Sequence, residues 1–176
     1  MKRIRIAESM AGLLVMAMLA LPAPAMADET LQAEMSGFQE VPAISTTGSG
    51  EFRAKISNDE TSIEFELSYS DLEGITPPPA TAPLAAHIHL GQRGVNGGVS
   101  IFLCGGGGKP ACPPQPATVT GTLDASGVGG PAGQGIAAGE FAELLRAIRS
   151  GVTYANVHTT RWPGGEIRGQ IKGSSR

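Results

Sequence analysis

The chain carries three histidines, and two of them sit one residue apart in Ala86-His87-Ile88-His89-Leu90. A β-strand sends alternate side chains to opposite faces, so His87 and His89 are expected to share one face of a strand and the apolar residues the other. The third histidine ends Tyr154-Ala155-Asn156-Val157-His158, in which Tyr154, Asn156 and His158 alternate with Ala155 and Val157. After a Pro163-Gly164-Gly165 turn, Glu166, Arg168 and Gln170 oppose Ile167 and Ile171, with Gly169 between. If these three strands are neighbours, they build a polar patch of His87, His89, Tyr154, Asn156, His158, Glu166, Arg168 and Gln170.

Three imidazoles on one face can hold Cu(II) or Zn(II) and leave a coordination position open. Glu166 is then the candidate acceptor that orients an imidazole. The same residues can instead form a structural network that ties three strands together by hydrogen bonds and ion pairs, or a ligand-binding surface. Metal binding makes a geometric demand, with imidazole nitrogens from all three residues within ~4–5 Å of a common point, because metal–nitrogen bonds are ~2.0–2.1 Å long. Trp162, in the turn beside the patch, is expected to pack as a cap.

Other chemistry has little footing. There is no Gly-x-Ser-x-Gly, no serine or cysteine is paired with a histidine by spacing, and no pair of carboxylates is fixed as acid and base. No catalytic residue is assigned, and a non-enzymatic role is favoured. Gly105-Gly106-Gly107-Gly108-Lys109 is followed by Pro110 where a phosphate loop needs Ser or Thr. The flanking Cys104 and Cys112 are the two cysteines of the chain and are expected to form a disulfide in an oxidising compartment.

That compartment is suggested by residues 1–27. Lys2, Arg3 and Arg5 precede an apolar run from Ala11 to Leu21, and Ala25-Met26-Ala27 supplies small residues for cleavage. The run is too short to span a bilayer and reads as a cleaved secretory signal, with a single domain over 28–176. Cleavage would take the net charge from −3 to −5, since the segment carries those three basic residues and Glu8. An acidic surface without charge clusters argues against nucleic acid or anionic membrane as a partner, leaving an extracytoplasmic protein or small ligand.

The elements that must position the patch are mostly strands. Alternation marks Asp28–Met35, Glu51–Ser57, Ser62–Tyr69 and Ala117–Leu123, and Val99–Leu103 is a short apolar strand. With Ser57 facing Ser62, Lys55 meets Glu64, Arg53 meets Glu66 and Phe52 meets Leu67, whereas a slip by two sets Glu51 against Glu66. A Pro-rich connector covers Gly74–Pro83. One helix is expected over Gly139–Ser150, where Phe141, Leu144, Leu145 and Ile148 form an apolar stripe, acids lead and arginines follow. About eight short strands and one helix indicate an all-β antiparallel sandwich or flattened barrel.

Ala86-His-Ile-His-Leu-Gly91 with Gly94-Val-Asn-Gly97, and Tyr154-Ala-Asn-Val-His-Thr159 with Pro163-Gly-Gly-Glu-Ile-Arg-Gly-Gln170, resemble the CHRD domain. That domain is repeated in chordin and found singly in secreted microbial proteins. The resemblance runs from about Leu31 to Ile171 and implies an extracytoplasmic β-domain acting as a binding or structural module. A fainter likeness is to the Cu/Zn superoxide dismutase sandwich. His87 and His89 match its paired copper ligands, and His158 a further one. With three histidines in all, the zinc half of that site is absent and the copper half incomplete.

Overall fold

The computed structural model describes residues 29–73 and 83–173. The expected signal segment, Asp28 and most of the Pro-rich connector lie outside the described residues. Nine strands and one α-helix follow in the order β1 (Glu29–Ser36), β2 (Ser49–Ile56), β3 (Ser62–Ser70), β4 (Ala85–Leu90), β5 (Gly98–Cys104), β6 (Ala117–Asp124), α1 (Phe141–Arg149), β7 (Thr153–His158), β8 (Ile167–Gln170) and β9 (Lys172–Gly173).

All pairings are antiparallel, in the order β5-β4-β7-β8-β1-β2-β3-β6, and the two-residue β9 pairs with β1. A bridge between Ile101 of β5 and Val128, just past β6, draws the two ends of this path together into a flattened, nearly closed barrel. Among the described residues, the one α-helix follows from its apolar stripe, and the all-β architecture and its eight main strands follow from the alternation in the sequence. So does the β2–β3 register, which pairs Phe52 with Leu67, Arg53 with Glu66 and Lys55 with Glu64.

The main strands put most of their apolar residues inside. Leu31, Phe52, Ile63, Leu67, Ile88, Ile101, Leu123, Val157 and Ile167 are all 0–2% exposed and belong to one core. The helix adds Phe141, Leu144, Leu145 and Ile148 to that core, in agreement with its stripe. Glu140 lies just ahead of the helix and accepts from the Ala137 N–H. Arg149 in the last turn reaches Glu29 at the start of β1 and Glu60 in the β2–β3 turn. The helix thereby covers the barrel end at which those two segments lie. Gly151 follows in a left-handed conformation (φ 68°), the usual way a helix stops. Cys104 and Cys112 are joined in a disulfide that closes the glycine-rich loop after β5.

The centre of the sheet matters most for the site. β4, β7 and β8 are consecutive neighbours, so the three strands that carry the histidines and the polar row do lie side by side. Against β7, His87 faces Asn156 and His89 faces Tyr154, while Arg168 and Gln170 of β8 face Asn156 and Tyr154 from the other side. Against β5, the ladder of β4 shifts between Ala86 and His87 and again between Ile88 and His89. Irregularities of this kind re-aim side chains, and here they flank both histidines.

Candidate histidine centre

Ala86 and Ile88 of β4 point into the core, which leaves His87 and His89 on the outer face, together with Tyr154, Asn156 and His158 of β7. That face is not open to solvent. The three histidines are only 7–8% exposed, Tyr154, Asn156 and Arg168 about 2%. The cover comes from loops. In the turn between β4 and β5, Gly97 accepts from His89 Nδ1 at 3.0 Å and donates its N–H to Tyr154 Oη at 3.2 Å. Asn96 of the same turn accepts from Arg168 and donates to the Val41 carbonyl, and the Val95 carbonyl also accepts from Arg168. The turn must be glycine at position 97, since a Cβ there would lie 1.6 Å from the Leu90 oxygen.

The rings pack tightly against one another. His87 and His158 have centroids 4.4 Å apart, His87 and His89 5.1 Å, and His89 and His158 5.8 Å. Phe102 of β5 presents an edge-on contact to His87 at 4.5 Å. Tyr154 stacks parallel to His89 at 4.7 Å, and the Arg168 guanidinium lies 3.9 Å from the tyrosine ring centre. One nitrogen from each histidine lies within 4.8 Å of the other two. The three residues therefore converge as the metal reading requires.

The hydrogen bonds assign the tautomers. His158 Nδ1 lies 2.9 Å from the Pro163 carbonyl and His89 Nδ1 lies 3.0 Å from that of Gly97, so both nitrogens carry protons. The lone pairs are then on Nε2 of each. His89 Nε2 accepts from His87 Nδ1 at 3.1 Å, and His158 Nε2 is buried with no hydrogen-bond partner. Burial disfavours the imidazolium forms. It pushes His87 down to about 3, helped by His158 and His89, and His89 down to about 4 despite the Gly97 carbonyl. His158 is lowered too, again by burial. All three are neutral near pH 7, the state in which imidazole binds a metal.

The rest of the expected patch is present but divides into separate tasks. Asn156 donates to Glu40 Oε1 at 2.6 Å and to the Ile167 carbonyl at 2.9 Å. Gln170 ties the carbonyls of Gly91 and Gly151 together. Glu166, the candidate for orienting an imidazole, accepts from the hydroxyls of Thr46 and Thr159 and from the Glu73 N–H. The acceptors at Nδ1 of His89 and His158 are main-chain carbonyls instead. Trp162 is partly buried and carries the Arg161 guanidinium 4.7 Å from its ring centre.

Glu40 has no counterpart among the residues that the sequence pattern singles out. It lies in the β1–β2 connection, where no alternation marks a buried position, yet it is 7% exposed. Burial raises its pKa to about 7, against the opposing pull of Asn156 and Arg168. Gly165 makes room for this contact. Its φ is +126°, and a Cβ there would meet Asn156 Nδ2 and Glu40 Oε1 at 2.6 Å each. Gly97 and Pro163 were also beyond reach as site residues, because they act through carbonyls, which every residue has.

The family model described as the CHRD domain matches residues 31–171. No curated protein and no solved structure matches the chain. Among the described residues, no helix is long and apolar enough to cross a membrane.

Proposed function

The chain belongs to the CHRD domain family, and from that premise we propose that it is an exported binding module whose histidine cluster holds one divalent transition-metal ion, zinc or copper. CHRD is an extracellular domain family, and the basic start, apolar run and small residues of 1–27 fit export with cleavage after Ala27.

One observation carries the reading. Three neutral imidazoles converge with nitrogens within 4.8 Å of one another, and two of them are held by carbonyls at Nδ1 so that Nε2 turns inward. Two nitrogens bound ~2.0–2.1 Å from one ion stand roughly 3.3–3.4 Å apart at the tetrahedral angle and about 2.9 Å apart at a right angle. The 3.1 Å between His87 Nδ1 and His89 Nε2 falls between these values. Binding at that pair requires only that the His87 proton sit on Nε2. A purely structural cluster would not need to leave His158 Nε2 buried without a partner, since such a group costs about 1–3 kcal/mol. An ion supplies that partner.

Calorimetric titration of the untagged mature protein with Zn(II) and with Cu(II) tests the proposal. One equivalent should bind near neutral pH, and the double variant His87→Gln, His158→Gln should bind none while keeping the wild-type circular dichroism spectrum. Wild-type protein with no saturable binding would leave the cluster as scaffolding between β4 and β7.

A further inference from the structure

Resting on the metal reading above, we infer that the bound ion keeps one coordination position for a small monoanionic ligand, beneath the loops that cover the three imidazoles. Among the described residues, the converging set consists of three histidines and contains no carboxylate or thiolate. A divalent ion held by neutral rings keeps its full charge in a site whose walls are only 7–8% exposed, and a buried uncompensated charge is costly.

The charged pair Arg168 and Glu40 does not remove that charge. Arg168 lies over Tyr154, which stacks on His89. Glu40 is the carboxylate that Arg168 acts on, and its Oε1 is held by Asn156 rather than aimed at the rings. At best these two offset each other, which leaves the ion a net positive charge that an anionic ligand lowers. Three nitrogens of a four-coordinate ion also leave room for one more donor.

The size limit comes from the cover. The 95–97 turn is bonded down onto His89, Tyr154 and Arg168, and Phe102 closes the β5 side of His87. The three histidines are buried, and His158 Nε2 with them. A ligand of a few atoms asks the least displacement of this cover, whereas an aromatic acid would have to displace Phe102 or the turn.

The test uses the untagged protein loaded with Co(II), whose visible bands report its ligand set. Azide and acetate are titrated in turn, followed by benzoate. Saturable shifts with azide and acetate, and none with benzoate, are expected. A bound Co(II) whose bands neither azide nor acetate changes would overturn the anionic position while leaving the metal site intact. A shift with benzoate as large as that with acetate would overturn the size limit. Failure of Co(II), Zn(II) and Cu(II) alike to bind would instead remove the metal reading and this inference with it.

Discussion

The Gly97 carbonyl oxygen lies 3.0 Å from Nδ1 of His89, and the N–H of the same glycine donates to the ring partner of that histidine, Tyr154. One residue of a turn thus sets both the tautomer and the stacking of a candidate metal ligand. A Cβ at position 97 would overlap the Leu90 oxygen, so the turn cannot keep its place with alanine there. Gly97→Ala should weaken zinc or copper binding by about 10- to 100-fold, as loss of a group that orients a ligand does. Gly133→Ala, where an added Cβ meets nothing within 4 Å, should leave the affinity as it is. Equal affinities for wild type and Gly97→Ala would show that the turn does not orient the ring.

Glu40 makes stability depend on pH in a stated direction. Its pKa is raised from 4.5 to about 7 in the folded protein, so its contribution is fully present below pH 4.5 and is lost as pH rises through 7. Glu40→Gln keeps an oxygen for Asn156 but cannot ionise. The histidines titrate in both proteins and cancel in the difference. Each tenfold change in proton affinity between the folded and unfolded chains is worth about 1.36 kcal/mol, so between pH 4.5 and 8 wild type should lose roughly 2–3 kcal/mol relative to Glu40→Gln. Urea unfolding at a series of pH values measures this, and a difference that does not change with pH would contradict the burial of an ionisable carboxyl.

Much of this molecule was legible because period-two alternation is a local signal. Phe52, Ala54 and Ile56 announce an inward face whatever lies opposite, and the charges of Arg53, Lys55, Glu64 and Glu66 then choose the register. The adjacency of β4, β7 and β8 was a condition of the sequence reading, and the topology meets it. Glu40, Gly97 and Pro163 were illegible for a different reason. Their part depends on where an irregular loop folds back, and no periodicity reports that. Glu166 shows the converse. Alternation grouped it with Arg168 and Gln170, but it precedes the first residue of β8, and its carboxylate bonds Thr46 and Thr159.

The helix tests how far the core depends on a packed lid. Leu145 is 1% exposed, and its stripe joins the barrel core. Leu145→Ala should cost about 2–5 kcal/mol in denaturant unfolding, the range for truncating a buried leucine. A loss below about 0.5 kcal/mol, typical of surface changes, would mean that α1 contributes little to closing that end.

The central claim is that His87, His89 and His158 together hold one ion, and anomalous diffraction from crystals grown with Zn(II) tests it most directly. Data collected on either side of the zinc absorption edge locate the metal independently of the protein phases. The account predicts one strong peak per chain, about 2.0–2.1 Å from one nitrogen of each of the three histidines, with the Gly97 and Pro163 carbonyls still at the Nδ1 atoms of His89 and His158. Absence of a peak among the three rings, or zinc found only at surface carboxylates, would contradict it.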